Sequence, residues 1–311
     1  MNKKKFAMSL SAVAALGAIL TGCGTANSTS GGGNSSGNTS SQNSTATGAS
    51  KGSKTITIGW IPWTEDVANT HLWKVILEQK GYKVNTPELD VGPLLLGMSK
   101  NSVNFFMDLW MPAEQPNVKK YQSKLVALKN WYKGESSTGI AVPSYMKNIN
   151  TPADLNKHAK EFQNRIVGID PGAIEEKHTH QFVKTYHLTN IHVQDSSTTA
   201  MITAVKRAYD QHKPVAVVMW TPMWPFTKYH LKYLKDPKHI VAEKTPNKLL
   251  IEANKTWVKN NPKVAGWLKN FSLTAKQLSS LEEDMRNSSS KDAAAKKWIK
   301  ANQSLVDSWL K

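Results

Sequence analysis

Residues 54–84 read KTITIGWIPWTEDVANTHLWKVILEQKGYKV. Apolar and polar side chains alternate at the start of this stretch as far as Trp60, which indicates a strand that leads into a loop. Apolar side chains then recur at helical spacing up to Gly81, and glycine commonly follows the end of a helix. Residues 82–84 begin a second strand. Because a strand–helix–strand unit is typical of a parallel sheet, this stretch predicts an α/β fold.

The rest of the chain continues the alternation of strands and helices. Further strands are predicted over three apolar segments, which are residues 103–110, 165–169 and 214–220. Helices are predicted around residues 178–186, over residues 201–209 and from Lys255 onward. In open α/β sheets, ligands bind at loops beyond the carboxyl ends of the strands. Three tryptophans stand at or just after such ends: Trp63, Trp110 and Trp220.

Tryptophans in this position suit a quaternary ammonium ligand. A trimethylammonium group has a permanent positive charge but no N–H to donate, so it prefers a large, electron-rich face, and each indole contact contributes about 0.5–2 kcal/mol. The chain has eleven tryptophans, however, and sugars also stack on indoles, so a carbohydrate-binding module stays open at this point. Five tryptophans follow helical patterns and are interpreted as packing residues: Trp73, Trp257, Trp267, Trp298 and Trp309.

The first residues have the pattern of a secretory signal. Lysines at residues 3–5 precede an apolar run that is too short for a permanent membrane helix. The run ends in Leu20-Thr21-Gly22-Cys23, which resembles a bacterial lipobox, where the cysteine carries the lipid after cleavage. Residues 1–22 are therefore interpreted as a lipoprotein signal peptide and Cys23 as the lipidated residue, which attaches the protein to a membrane.

Cys23 is the only cysteine, so a disulfide within the chain and a two-cysteine redox motif are excluded. Residues 24–53 consist almost entirely of Gly, Ser, Thr, Asn and Ala, a composition that predicts a disordered linker. A flexible coil of about 30 residues has an r.m.s. span of roughly 30 Å, which lets an anchored domain move over the membrane surface.

The formal net charge of +17 is compatible with nucleic acid binding. The lysines are scattered, however, and no zinc-finger spacing or RNA-binding aromatic motif occurs in the sequence. Together with the secretory signal, this pattern favours a solvated cationic surface beside an anionic cell envelope. No nucleic acid partner is expected.

Catalysis is not expected either. The segment from Glu175 to His180 holds two acids and two histidines but lacks the His-Glu-x-x-His spacing of a zinc site. His178 and His180 would point to different faces of a helix, so Glu175 and Glu176 are interpreted as the acidic start of a surface helix. No G-x-S-x-G elbow or phosphate loop occurs in the sequence, and no cofactor or metal is expected.

Five segments together resemble the glycine betaine/proline betaine substrate-binding proteins of ABC importers. They are residues 63–84, DLWMP at 108–112, VPSYM at 142–146, GIDPG at 168–172 and MWTPMW at 219–224. The resemblance covers essentially the whole chain after the linker. It implies a two-lobed fold of the type II periplasmic-binding-protein kind, with a mostly parallel sheet flanked by helices in each lobe.

The resemblance also implies where the lobes begin and end. Residues 54–141 and 243–311 would form lobe 1, and residues 142–242 would form lobe 2. The chain would cross between the lobes near Gly139–Pro143 and return near Ile240–Thr245.

Position by position, the resemblance implies an ammonium cage of Trp63, Trp110 and Trp220. Trp224 and Trp60 are candidates to flank it, although packing is an equal interpretation for both.

The opposite end of the ligand is less well defined. The resemblance implies that backbone N–H groups of Ala173 and Ile174, at the start of a helix, bind a carboxylate. Some relatives have a histidine where this chain has Gln115, and the turn lacks a further glycine. These departures leave room for carnitine, proline betaine or choline. Glu65 and Asp66 are interpreted as solvated loop acids that could accept a choline hydroxyl.

The expected function is that of an extracellular, lipid-anchored solute-binding protein for osmoprotection. It would capture glycine betaine, or a related quaternary ammonium such as proline betaine or carnitine, and deliver it to the permease and ATPase of an ABC importer. The alternatives are a choline-binding importer component and an extracellular protein that binds carbohydrate or cell-wall polymer.

Overall fold

The computed structural model describes residues 54–311. The predicted signal peptide, the lipidation of Cys23 and the predicted linker lie outside the described residues. Within residues 54–311, no helix combines the length and the apolarity needed to cross a bilayer.

Strands and helices alternate along the described chain. The strands are β1 (Thr55–Gly59), β2 (Lys83–Asn85), β3 (Phe105–Met111), β4 (Leu125–Asn130), β5 (Tyr132–Lys133), β6 (Ser137–Pro143), β7 (Arg165–Val167), β8 (His192–Gln194), β9 (Val217–Thr221), β10 (Leu231–Tyr233), β11 (Lys248–Asn254) and β12 (Leu273–Thr274). The helices are α1 (Thr64–Gln79), α2 (Val91–Ser99), α3 (Gln115–Val118), α4 (Pro152–Lys157), α5 (Ile174–Thr185), α6 (Thr198–Asp210), α7 (Trp224–Lys228), α8 (Lys255–Asn260), α9 (Pro262–Asn270), α10 (Ala275–Arg286), α11 (Lys291–Ala301) and α12 (Gln303–Trp309).

Lobe 1 is built on a sheet with the strand order β2-β1-β3-β11-β4. The predicted strand–helix–strand unit is present in it as β1, α1 and β2, and β1 pairs in parallel with both β2 and β3. Gly81 follows α1 with a φ of 84°, in the left-handed region that glycine enters without steric cost. The unit sets Trp63 directly before α1, at the same edge of the sheet where β3 ends.

Lobe 2 is built on a second sheet, with the strand order β10-β6-β9-β7-β8. In this sheet β7 pairs in parallel with β8 and β9, and β6 pairs antiparallel with β9 and β10. The two short strands β5 and β12 pair separately, in parallel.

Each sheet is mostly parallel, as expected, because four of its five strands run in one direction and a single strand runs against them. In lobe 1, β11 runs antiparallel to β3 and β4. The reason is the path of the chain: β4 precedes the passage to lobe 2, whereas β11 follows the return and must run the opposite way. In lobe 2, β6 is the entering strand and runs antiparallel to its neighbours for the same reason.

The first passage between the lobes comes earlier than expected. The strand β6 pairs with β9 from Ser137 to Ala141, and its end pairs with β10, so it belongs entirely to the sheet of lobe 2. The expected crossing near Gly139–Pro143 therefore falls inside a strand, and the passage lies before Ser137. The expected return near Ile240–Thr245 falls between β10 and β11.

Large aromatic rings form the centre of lobe 1. Trp73 packs edge-on against Phe271, with 5.5 Å between the ring centres, and stacks with Trp309 at 6.4 Å. Trp298 also stacks with Trp309 at 6.4 Å. The prediction that the helical tryptophans pack in the core is confirmed, since all five are buried: Trp73, Trp257, Trp267, Trp298 and Trp309.

A capping box begins α10, which contributes residues to the face of lobe 1 near lobe 2. The Thr274 hydroxyl accepts a hydrogen bond from the Gln277 N–H at 3.3 Å, and Gln277 Oε1 accepts one from the Thr274 N–H at 2.8 Å.

We expect Thr274→Ala to lower the free energy of unfolding by about 1 kcal/mol, measured by urea denaturation followed by circular dichroism. Thr274→Ser should stay near the wild type. Lys276→Ala, at an exposed position of the same turn, is the control, and an equal loss in both alanine variants would contradict the prediction.

Candidate functional site

The three strand-end tryptophans meet at one cavity between the sheets. Trp63 precedes α1, Trp110 lies in β3 and Trp220 lies in β9, and their exposed fractions are 3%, 2% and 3%. The rings of Trp63 and Trp220 meet edge to face, with 6.1 Å between their centres and 63° between their planes. Ile169 and Glu175 complete the lining of this small cavity. The structure thus brings together all three residues that the sequence singled out.

Buried carboxylates hold two of the three indole rings in place. The indole N–H of Trp220 donates to Glu65 Oε1 at 2.7 Å, which joins β9 of lobe 2 to α1 of lobe 1. The indole N–H of Trp110 donates to Asp108 Oδ2 at 3.1 Å. A buried indole N–H that has an acceptor loses little on leaving water, so each of these hydrogen bonds fixes the orientation of a ring.

Glu65 and Asp66 are not solvated loop acids, which corrects that interpretation. Both lie in the first turn of α1 and are fully buried. Asp66 accepts a hydrogen bond from the Ile61 N–H at 2.8 Å and so closes the turn that precedes Trp63. Burial is the main cause that raises the pKa of both carboxyls well above the usual range, and the nearby Asp108 raises it further.

Two more acids belong to the same buried group. Burial raises the pKa of Asp108 to about 7. Burial also raises the pKa of Glu282 to about 7, and its Oε1 accepts a hydrogen bond from the Thr64 hydroxyl at 2.6 Å. These acids, together with Glu65, place several carboxyl groups behind the indole rings.

The start of α5 is already occupied by groups of the protein. The Ala173 N–H donates to the carbonyl oxygen of Asp170 at 2.9 Å. The Ile174 N–H donates to Glu114 Oε1 at 3.3 Å, although Glu114 belongs to the segment after β3 in lobe 1. Both backbone donors that were expected to bind a ligand carboxylate are therefore engaged within the protein, one of them with an internal carboxylate.

Glu175 is a lining residue of the cavity that sequence reasoning placed elsewhere. It was interpreted with Glu176 as the acidic start of a surface helix, but the two are only 6% and 1% exposed. Glu175 Oε2 is buried and has no hydrogen-bond partner within residues 54–311. Burial raises its pKa to about 8, and the nearby acids Glu114, Glu243 and Asp108 also contribute.

Gln115, Trp60 and Trp224 do not line the cavity. Gln115 is exposed at the start of α3, whereas its neighbour Glu114 is buried and faces α5. Trp60 donates its indole N–H to the carbonyl oxygen of Thr86 at 2.9 Å. Trp60 and Trp224 instead line a second, more open space, where the guanidinium of Arg286 lies 4.6 Å from the ring centre of Trp224.

Two residues of the segment from Glu175 to His180 form an acid–histidine group with Asp195, which lies farther along the chain. Glu176, His180 and Asp195 place their side-chain ligand atoms within 4.8 Å of one another. His180 Nε2 lies 2.7 Å from Asp195 Oδ1, and both side chains are about half exposed, so they form a surface pair. Glu176 Oε2 accepts a hydrogen bond from the Ile169 N–H at 2.9 Å and thereby holds the strand end that lines the cavity.

Glu114, Asp108 and Glu175 are the site residues that sequence reasoning missed. Asp108 precedes Trp110 by two residues in a strand, so alternation alone indicates that both side chains lie on one face. For Glu114 and Glu175 the sequence carries no comparable signal, because they meet only when the two lobes come together.

Comparisons with known proteins show what the chain is similar to. Residues 54–301 match the family model described as the substrate binding domain of the ABC-type glycine betaine transport system. The glycine betaine/carnitine transport binding protein GbuC of Listeria monocytogenes is 35% identical over 161 residues, which are 51% of this chain. The match spans about half of that relative, 53% of its length.

Two solved structures show the fold. Lactococcal OpuAC, in a closed conformation complexed with glycine betaine, is 30% identical with a TM-score of 0.75, over 83% of this chain and 99% of that chain. The glycine betaine/L-proline-binding protein ProX of Borrelia burgdorferi has a TM-score of 0.76 at 21% identity, over 83% of this chain and 97% of that chain. The predicted two-lobed α/β class is confirmed. The family is that of a transporter component and not of an enzyme.

The buried acids make stability depend on pH. A carboxyl whose pKa is higher in the folded protein than in the unfolded chain holds its proton more firmly in the folded state. Its contribution to stability is therefore lost as the pH rises from the pKa of the unfolded chain to that of the folded protein. For Glu175 this window runs from 4.5 to about 8.

We expect the Tm of the wild type to fall between about pH 5 and pH 8. Glu175→Gln should make this fall smaller, because the variant no longer has a carboxyl that loses its proton within the window. The measurement is a set of thermal melts in matched buffers.

The control for the thermal melts is Glu135→Gln, which replaces an exposed acid. It should keep the slope of the wild type. A wild-type Tm that rises steadily across the same window would show that the buried carboxyls are ionised in the fold.

Proposed function

The chain belongs to the family of substrate-binding domains of ABC-type glycine betaine transport systems, and we propose that it captures a quaternary ammonium solute of the glycine betaine type. The ligand would lie in a cage formed by Trp63, Trp110 and Trp220. The single observation that carries this proposal is the convergence of three buried indole rings, from both lobes, on one small cavity.

The chemistry of the cavity suits a cation without N–H groups. Its lining consists of three indoles, one aliphatic side chain and one carboxyl group. A trimethylammonium group can contact each ring face, and three such contacts supply roughly 2–6 kcal/mol, more where water is excluded. An ordinary ammonium would instead require acceptors for each of its protons. The apolar, electron-rich lining therefore favours methylated nitrogen.

The carboxylates behind the rings strengthen the same preference. The indole N–H groups of Trp110 and Trp220 each point to a buried acid, Asp108 and Glu65. A hydrogen-bond acceptor at the indole N–H polarises the ring and makes its face more attractive for a cation. The hydrogen bonds also hold the rings in one orientation before the ligand arrives, which reduces the entropy cost of binding.

Closure of the two lobes over the ligand follows from the origin of the cage residues. Trp63 and Trp110 belong to lobe 1, whereas Trp220 belongs to lobe 2 and reaches Glu65 across the boundary. A ligand between the rings binds best when the lobes are together. We propose that the closed, loaded form is the one delivered to the permease and ATPase of an ABC importer.

The proposed location is the outer face of the cell membrane. Support comes from the apolar N-terminal run, the Leu20-Thr21-Gly22-Cys23 segment and the polar stretch of residues 24–53. A lipid on Cys23 would keep the binding domain near the importer, and the linker would let it reach the permease. Osmoprotection is the physiological role that fits uptake of such a solute.

Trp110→Ala tests the cage. We expect it to weaken binding of glycine betaine, choline and tetramethylammonium by about 30-fold or more, because a cage face is lost and the cavity fills with water. Isothermal titration calorimetry measures the affinities, and circular dichroism checks the fold. The control is Trp267→Phe, at a buried tryptophan that packs against Tyr82 in lobe 1. Unchanged affinity in Trp110→Ala, or no binding of any quaternary ammonium by the wild type, would contradict the proposal.

Cys23→Ala tests the anchor. We expect the variant to leave the membrane fraction and collect in the medium or periplasm, because one side chain carries the whole attachment. Fractionation and immunoblotting of cells that express each form provide the measurement. Cys23→Ala that stays in the membrane fraction would show that the anchor lies elsewhere. Ser41→Ala, in the polar stretch, should behave like the wild type.

A further inference from the structure

The cavity has little to offer a ligand carboxylate. The first backbone N–H groups of α5 would be its natural partners, since a helix N-terminus attracts anions. The N–H groups of Ala173 and Ile174 already bond to Asp170 and Glu114. The carboxyl of Glu175 receives a hydrogen bond from its own backbone N–H. Three successive N–H groups at the start of α5 are thus taken by acceptors of the protein.

Glu175 is the polar side chain of the cavity lining, beside three indoles and Ile169. Its Oε2 atom is buried without a hydrogen-bond partner in the described chain. Leaving a buried carboxyl oxygen unpaired is costly, and a donor supplied by a ligand would remove the cost. When Glu175 is ionised, the unpaired oxygen therefore calls for a ligand that carries a hydrogen-bond donor at a short distance from its ammonium group.

The charges around the cavity support the same conclusion. Glu114, Glu243 and Asp108 are the acids that act on Glu175. No lysine, arginine or histidine of residues 54–311 lines the cavity. Because the surroundings are acidic, a ligand with a net positive charge gains more on entry than a zwitterion, whose carboxylate meets other carboxylates.

We propose that this site prefers a quaternary ammonium alcohol of the choline type over carboxylate-bearing betaines, with Glu175 as the specificity-determining acceptor of the ligand hydroxyl. The inference rests on the proposed function, since it takes the tryptophan cage as the ammonium site. It deepens that function by naming the chemistry of the ligand's other end.

Proton linkage supplies a signature of this arrangement. A cation bound beside Glu175 favours the ionised carboxylate, so choline binding releases a proton while the free site still holds it. The affinity for choline then rises with pH up to about 8, the pKa of Glu175 in the free fold. A betaine carboxylate needs the protonated form of Glu175 as its donor. The affinity for glycine betaine would accordingly fall as pH rises past the same value.

The experiment compares three probes on the full described domain by isothermal titration calorimetry. Tetramethylammonium fills only the cage, choline adds a hydroxyl and glycine betaine adds a carboxylate. Above about pH 8, where Glu175 is ionised, we expect wild-type protein to bind choline at least about 10-fold more tightly than glycine betaine. Glu175→Gln should weaken choline binding by about 10-fold to 100-fold and tetramethylammonium binding by much less, and should remove the pH dependence.

The control is Glu135→Gln, which makes the same change at an exposed acid that does not line the cavity. It should keep the wild-type preference for choline. Should Glu175→Gln fail to fold, the ranking of choline against glycine betaine on the wild type, with its pH dependence, decides the matter.

The outcomes separate the two proposals. Tighter binding of glycine betaine than of choline, or a choline preference that survives Glu175→Gln, overturns the role of Glu175 and leaves the cage intact. Failure of the wild type to bind all three probes, tetramethylammonium included, overturns the proposed function itself. Selective loss of choline binding in Glu175→Gln supports the inference.

Discussion

The hydrogen bond from the Trp220 indole to the Glu65 carboxyl is the contact on which the site depends. It spans 2.7 Å between buried groups and connects β9 of one lobe to the first helical turn of the other. A buried carboxyl without a partner is costly, so this contact stabilises the closed arrangement and fixes the ring at the same time. Asp108 does the same for Trp110 within lobe 1. The cage is therefore an aromatic layer supported by acids.

This support explains why so many acids are buried in a chain with a formal net charge of +17. The lysines contribute to the surface, whereas the acids near the cavity face inward and carry raised pKa values. Such a distribution is unfavourable for the stability of the empty protein. It becomes favourable when a cation occupies the cavity, since the ligand supplies the charge that the interior lacks. The buried acids that would favour a bound cation are therefore the same ones that destabilise the empty protein.

At the start of α5, acceptors of the protein occupy backbone donors that a ligand carboxylate would use. A helix N-terminus beside an aromatic cage would suit a zwitterion, with ammonium at one end and carboxylate at the other. Here Glu114 takes the Ile174 N–H, and Glu175 faces the cavity in addition. In the proposed site, affinity for the ammonium group and selectivity for the rest of the ligand would be carried by different residues.

Local sequence determined the strand–helix–strand unit of residues 54–84 and the position of the three cage tryptophans at strand ends. The spacing of apolar side chains and the residue types are properties of a short segment, so they can be analysed from the sequence alone. The sequence did not determine that Glu65 and Glu175 are buried, that Glu114 rather than Gln115 faces α5, or that β6 and β11 run antiparallel to their neighbours. Each of these depends on where the chain passes between lobes and on which surfaces then meet. Burial and partner choice are properties of the assembled lobes, and for that reason only the tertiary structure decided them.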